Sequence, residues 1–533
     1  MQYILDTSDY KNFKLLCAAT AQEEQAFEGA AAANRCLPGD LITLDDSGIC
    51  IHKRATHPPL VGHLQTLTKT IYGMTSSGTP LFLFTPFNKA YPSMRVGANK
   101  MNRTHNYLIV AKFESWAPQD SLPRANLEFV IGHTGDHTAE DMALTFAASP
   151  FWRPARINSQ VQQPCLDHRI MISQENGWET INIDPAGCRD VDDTFSWRPV
   201  GGSTTTYEVA IGISDVDASI PAGSPYDVSS AKNSQTIYKL SGHAIRPMLP
   251  VDLSEGRLSL LPSTELKPTV SLIFTFDMLE RQIQEPRFAL TSTQNNKTYT
   301  YETAHKSTAA PLLQLITQAI QTQVPSLAPE SATDPHIWIQ ALMVFYNIKA
   351  APHAAVLRSH SAPKAEKLAQ YATLVHDLPE LVMEAAKYTH PSRSEHHYGF
   401  DSLYCHATSP IRRYSDLLNQ RSLKAFLVGA EPSTTTGLTI YALNAQQKAA
   451  KAYQRDLFFT QELREGPHVA TAFVVAYDAT KKKVHLYVSK WKRIIKVASE
   501  DPLHLKQAVK VYFVYDSNKA HYKDRLICRV ALT

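Results

Sequence analysis

The 533-residue sequence has no uninterrupted apolar run of 18 or more residues, so it lacks the sequence signature of a membrane-spanning helix. Its first twenty residues carry Asp6, Asp9 and Lys11 where a secretory leader needs an apolar segment. A soluble, intracellular protein without membrane association is expected, with cytoplasm and nucleus both open and an organellar or viral origin not distinguished. Cysteine is scarce: 7 residues, odd in number, scattered, with no Cys-x-x-Cys pair. That pattern supports neither a disulfide framework nor a zinc finger, and it fits a reducing compartment. The His396-His397 pair has no carboxylate or cysteine at ligand spacing. Internal repeats and low-complexity segments are also missing.

What is present is globular in character, with 44% apolar and 19% charged residues. The length exceeds one ordinary domain, and three or four units are expected. The net charge of +3 hides an asymmetry: residues 466–533 hold 13 Lys and Arg against 5 Asp and Glu, leaving the other 465 residues acidic. A basic tail of this kind can bind phosphate or form a solvated face.

The first 150 residues read as short strands separated by turn residues, including Leu41–Leu44, Thr79–Phe84 and Asn106–Ala111, a spacing that suits two small barrels. A proline-rich stretch from Ser149 to Pro164 leads into a mixed unit with strands at Glu208–Gly212 and Ser271–Phe276. Helical patterns follow. Asp334-Pro335 supplies an N-cap and a first-turn proline, with Ile339, Leu342, Met343 and Tyr346 on one face. Further helices are predicted over 364–387, 410–427 and 442–463. After Gly466-Pro467 strands return at Ala470–Val475, Val484–Val488 and Val509–Val514.

Two patterns carry chemistry. Asp184, Asp190, Asp192 and Asp193 lie within ten residues, directly after an apolar strand-like run. Two carboxylates about 4 Å apart repel by roughly 1 kcal/mol in water and about 4 kcal/mol near a protein surface, so a packed cluster needs cations or must splay into solvent. Hard oxygen ligands suit Mg²⁺, with Mn²⁺ as the alternative; a solvated acidic turn is the competing reading. Asp192 and Asp193, being adjacent, cannot share a strand face, which predicts a bend there. The second pattern, Thr408-Ser-Pro-Ile-Arg-Arg-Tyr-Ser-Asp416, predicts a helix capped by Ser409 with Pro410 in its first turn. Its amides and Arg412 would converge on an anion. Arg412 and Arg413 are about 100° apart on such a helix, so one faces the site and the other reaches Asp416.

Taken together and in this order, Asp184-x5-Asp190-x-Asp192-Asp193 and Ser409-Pro-Ile-Arg-Arg-Tyr414 resemble the ribonuclease II/R family of RNB-domain exoribonucleases. Weaker matches join them at Pro247-Met-Leu-Pro250, Leu258-Ser-Leu260, Tyr299-Thr-Tyr-Glu302 and Arg358-Ser-His-Ser-Ala-Pro363. Asn34–Asp40, Leu83–Pro86, Trp116 and Gly132–Asp136 resemble the paired cold-shock barrels of the exosome-type eukaryotic branch, here expected without a preceding PIN domain. The resemblance implies an α+β multidomain fold: a short cold-shock/OB barrel over 1–57, a second over 58–150, a mixed α/β RNB catalytic domain over 151–465 and a C-terminal OB barrel over 466–533.

It also implies a processive 3′-to-5′ exoribonuclease that hydrolyses single-stranded RNA to nucleoside 5′-monophosphates by two-metal-ion chemistry. The four aspartates would hold the metal, with Asp192 most critical for turnover, and Arg412 would stabilise the phosphate. Tyr238 is implied to pack the 3′-terminal base and Tyr301 to stand at the channel mouth, while Arg413, Lys490, Lys492 and Arg493 are candidate RNA contacts. His360 and His406 read as structural histidines. An exosome-like assembly is left open. Three departures stand out: Gln454 occupies the place of a family glutamate, Gln420-Arg421 that of His-Arg, and Thr194 that of alanine. The alternative is a non-catalytic RNA-binding relative; a DNA exonuclease is disfavoured by the resemblance alone.

Overall fold

The computed structural model describes residues 1–46, 48–99, 101–153, 161–432, 435–465, 468–499, 503–516 and 525–531. Part of the proline-rich stretch and the Gly466-Pro467 boundary lie outside them. Three five-stranded β units share one strand order, third-second-first-fourth-fifth in chain sequence. The first is a sheet of Tyr3–Thr7, Asn12–Cys17, Glu23–Glu28, Leu41–Asp45 and Gly48–Lys53. The second is a closed barrel from Leu60–Leu64 to Arg124–His133, sealed by parallel pairing of Met94–Gly97 with Arg124–His133. The third spans His468–Asp478 to Leu526–Ala531. This is the OB arrangement expected of them.

The first two units do not have separate cores. Leu5, Phe13, Leu15 and Ile42 of the first pack in one cluster with Phe82, Phe84, Met94 and Ile109 of the second. Too short to cover its own apolar face, the first sheet is completed by the barrel beside it.

Between these units and the last lies a seven-stranded sheet whose central strands are Glu179–Asp184, Asp193–Pro199, Thr206–Ser214 and Lys267–Asp277. Alternation gives its two faces different chemistry. Ile181, Ile183, Phe195, Val209, Ile211, Leu272 and Phe274 pack against the helices Ala310–Gln323 and Pro335–Ala350 through Leu313, Ile316, Trp338, Leu342 and Phe345. Each such side chain stabilises by roughly 1.5–3 kcal/mol on burial. The other face carries buried hydroxyls: Thr269 with Thr291 at 2.5 Å, Ser271 with Thr291 at 2.6 Å, and Thr180 with Ser196 at 2.9 Å. At Gly212 in this layer a Cβ would stand 2.8 Å from Thr194 Oγ1, so a larger residue would push the strands apart.

Two predicted helices differ from the observed chain. Of 364–387 only Ala365–Gln370 is α-helical, and a short strand closes the stretch at Lys387–Thr389. The residue before Pro379 disfavours helix, and Tyr371, Leu374 and Val382 instead pack on Val475 and Tyr487 of the C-terminal unit. The helix predicted from Pro410 begins at Tyr414. Arg413 is extended, at φ −137° and ψ 123°, and pairs with Gln235 as an isolated bridge. Among the described residues no helix is long and apolar enough to cross a membrane.

Candidate active site

The apolar strand Glu179–Asp184 ends at Asp184, and the chain then turns. Cys188 N–H donates to Pro185 O at 3.0 Å, and Gly187, at φ +80°, takes the left-handed corner of that turn. The returning segment is clamped from outside: Ser259 Oγ donates to Arg189 O at 2.6 Å and accepts Val191 N–H at 3.1 Å, while Leu260 N–H donates to Val191 O at 2.9 Å. Asp192 is buried and Asp193 opens the next strand. The bend expected at this pair thus lies immediately before the strand Asp193–Pro199.

Each carboxylate has its own surroundings. Asp184 accepts Asn182 Nδ2 at 2.8 Å, and Asn182 in turn accepts Asn295 Nδ2 at 2.8 Å. Asp190 accepts the Tyr238 hydroxyl. Asp192 accepts Ile411 N–H at 2.9 Å on one oxygen and Arg412 Nε at 2.9 Å on the other. Asp193 makes no hydrogen bond or ion pair among the described residues. Burial is the main cause that raises the carboxyl of Asp192 to about 7, against the opposing pull of Arg412. Burial also raises Asp184, and it raises Asp193 well above the usual range, with Asp184 and Asp192 adding repulsion. Arg412 stays charged: burial works against its charge, and Asp192 more than offsets that.

The four aspartates are therefore electrostatic neighbours without forming a cage. Among the described residues no three His, Cys, Asp or Glu side chains are placed so as to hold a metal ion. The donor set nevertheless has the chemistry of a hard-cation site: four oxygen ligands, three held by burial above their ordinary ionisation range, and one without a protein partner. Asp190 and Asp192 keep lone pairs beyond those taken by Tyr238, Ile411 and Arg412.

The other expected site residues divide into those near the aspartates and those elsewhere. Segment 234–236 runs beside 412–414, with Thr236 N–H donating to Arg412 O at 3.0 Å and Tyr414 N–H to Ser234 O at 2.8 Å. This pairing brings Tyr238 to Asp190, where its hydroxyl donates to a carboxylate, a contact that the expected base-packing role does not include. Tyr301 follows Thr300, the register partner of Asp184 in the adjoining strand. Arg413 departs from its expected contact with RNA: its Nη2 binds Asp416 at 2.8 Å and Ser409 Oγ at 3.2 Å, because the extended backbone turns it inward. The anion at the expected helix start is Asp192 itself, met by a turn amide before the helix begins.

In the C-terminal unit Lys490 pairs with Glu462 at 2.6 Å, and Arg493 pairs with Asp456 and covers the Phe459 ring at 4.2 Å. Arg493 thus fastens the unit to the helix Gly437–Arg464 rather than presenting a free cation. Lys492 is exposed. Gln454 is exposed on the same helix. Gln420 is buried, donating to Ser214 O at 2.7 Å, and Arg421 binds Asp217 at 2.9 Å and Asp227 at 2.8 Å. His406 is half-buried, with its Nδ1 3.0 Å from the Tyr388 hydroxyl, and His360 binds Glu384 O at 2.7 Å. Asn182, two residues before Asp184 on the same strand face, is within reach of a period-two reading of the sequence. Asn295 and Ser259 carry no local signal.

One closed five-stranded barrel and two open sheets of the same strand order surround a mixed sheet that carries a carboxylate cluster facing one arginine, a multidomain α+β architecture. The RNB domain model matches residues 174–324 and 308–429, and the model for the Dis3-like cold-shock domain 2 matches 81–149. The chain belongs to the RNB-domain family. It is 23% identical over 457 residues to the Caenorhabditis elegans protein named "Probable exosome complex exonuclease RRP44", an alignment covering 67% of this chain and 46% of that one. The chain thus spans about half the length of the curated relatives it matches. Its fold is similar to that of Mycoplasma genitalium RNase R in complex with ribose-methylated single-stranded RNA, with TM-score 0.71, 15% identity and full coverage of both chains. It is also similar to yeast Ssd1, described as a pseudonuclease, with TM-score 0.72, 16% identity, and 97% and 82% coverage.

Proposed function

We propose that this protein is a 3′-to-5′ exoribonuclease that hydrolyses single-stranded RNA processively to nucleoside 5′-monophosphates, dependent on Mg²⁺ or Mn²⁺. The observation that carries the reading is the complete set of four aspartates opposite Arg412 in an RNB fold. Asp184, Asp190, Asp192 and Asp193 would hold the cations, which when bound supply Lewis-acid activation of water and charge neutralisation at the leaving oxygen. The residues themselves do the rest. Asn182 and Asn295 fix the Asp184 rotamer, and the Ile411 amide fixes Asp192. Arg412, tied through Nε, presents its remaining nitrogens to a phosphate. The exposed Lys492 adds a candidate phosphate contact, and membership of an exosome-like assembly is proposed only by likeness to proteins so named.

A second reading, an RNA-binding protein without turnover, is favoured by the engagement of Asp192 with Arg412 and by the pseudonuclease among the structural neighbours. A 5′-labelled oligoribonucleotide incubated with the protein and Mg²⁺ separates the two. Shortening with mononucleotide release supports the nuclease; RNA bound and left intact overturns it. A DNA oligomer of the same sequence tests sugar selectivity.

A further inference from the structure

Tyr301 does not offer both ring faces to a ligand. The imidazole of His336 lies flat on it, with ring centroids 3.9 Å apart and planes inclined by 12°. His336 belongs to the first turn of the helix Pro335–Ala350, and its Nδ1 is held at 3.1 Å from Asp334 Oδ1, the oxygen that also accepts its backbone N–H at 2.9 Å. One face is thus covered by tyrosine and one edge is fixed by a carboxylate, yet the side chain remains 62% exposed. The pair stands beside the acidic site, since Thr300 is in register with Asp184 and Tyr301 is the next residue. The Tyr301 hydroxyl is accordingly pushed up to about 12, by burial first and then by Asp184 and Asp193.

We propose that His336 is a nucleobase-stacking platform at the edge of the acidic site, backed by Tyr301, that receives a base near the 3′ end of single-stranded RNA. This deepens the nuclease reading and rests on it for the identity of the ligand. A planar ring held on one face and one edge loses little entropy when a base covers its other face, and stacking on such a ring tolerates any base. The tyrosine that resemblance marks for the channel mouth then acts one ring further back, as the support.

The test uses the full chain carrying Asp192→Asn, so that RNA persists, with 2-aminopurine placed in turn at each of the last few 3′ nucleotides. One position is expected to be quenched on binding. Adding His336→Ala removes that quench and weakens binding about tenfold, the size of one base stack. The fold is retained because the cap from Asp334 goes to the backbone N–H. His336→Phe, which keeps the stack, restores both signals. An abasic nucleotide at the quenched position weakens the histidine protein to the same degree and adds nothing to His336→Ala. A quench unchanged in His336→Ala, His336→Phe behaving like alanine, or no RNA bound to the Asp192→Asn protein overturns the proposal. Mononucleotide release by the unsubstituted protein reports separately on the nuclease reading: quench without release keeps the platform and removes the nuclease.

Discussion

Arg412 and Asp192 meet at 2.9 Å although 220 residues separate them, and the Ile411 amide holds the other oxygen of the same carboxylate. This clasp joins the two sequence patterns into one site. Removing the arginine leaves a buried acid with a single donor. Losing one partner of a fully buried pair costs about 3–5 kcal/mol, but the Arg412 side chain is 42% exposed. Solvent screening therefore reduces the expected loss for Arg412→Ala to roughly 1–2 kcal/mol. Urea unfolding of the two proteins measures it.

Asp192→Asn keeps a group that accepts the Ile411 amide, and leaves the barrels untouched. Mononucleotide release should vanish while RNA affinity stays within about twofold, because Arg412, the stacking rings and the basic residues are all retained. Retention of most of the activity would show that Asp192 does not carry turnover.

Asp193 has its folded carboxyl raised well above the ordinary 3.8. Its contribution to stability is thus fully present below the unfolded value and is lost as pH rises through the folded one. Asparagine at this position has nothing to lose. With EDTA present, the melting temperature of the parent should fall relative to that of Asp193→Asn as pH is raised from about 5 to about 8. Millimolar Mg²⁺ at the upper pH should restore the parent and raise the variant, which keeps the other three aspartates, by less. Parallel curves in both conditions would argue against cation binding at this carboxylate.

Tyr238→Phe keeps the ring and deletes the hydroxyl that binds Asp190. A positioning role for that hydroxyl predicts a lower kcat, by about tenfold for one charge-assisted hydrogen bond, with KM for RNA unchanged. Tyr238→Ala, which also removes the ring, should raise KM as well. Equal KM in both variants would leave the ring no part in binding.

Lys496, exposed like Lys492 and four residues further on in the strand Arg493–Ala498, belongs to the same unit, so Lys492→Glu combined with Lys496→Glu tests the basic C-terminal unit without cutting the chain. Deleting the unit would uncover Phe459 and Leu463 of the long helix, which belong to its core. If both lysines bind phosphate, the slope of log affinity against log salt should shrink by about one for each lysine replaced. An unchanged slope would place the RNA on another face.

Local chemistry explains which parts of this arrangement can be read from the chain. The strand before Asp184, the capped helix after Asp334 and the strands of the last unit follow from alternation, caps and β-branched residues, and they stand where predicted. The helix signals at Pro410 mislead because they compete with a partner far away in sequence: Gln235 draws Arg413 into an extended bridge. The pairing of Arg413 with Asp416 is local and follows from the three-residue spacing, whereas the Tyr238–Asp190 contact and the Asn295–Asn182–Asp184 chain depend on side chains brought together from distant segments. The four aspartates are legible as a set, whereas their separate engagements are not, since adjacency in sequence does not say which partner each carboxylate takes.

The helix Gly437–Arg464 runs for 28 residues, about 42 Å at 1.5 Å per residue. Gly437 lies against the backbone of Ala18 and Ala21 in the first unit, and Ile440 and Leu443 enter the core beneath Tyr414. Tyr453 packs on Ile237, and Phe459 and Leu463 enter the C-terminal core. One rod therefore sets both the spacing and the angular phase of every unit around the acidic site. A single inserted residue would advance everything beyond it by about 1.5 Å and rotate it by about 100°, so this helix acts as a ruler whose length is far less free to vary than that of any loop in the molecule.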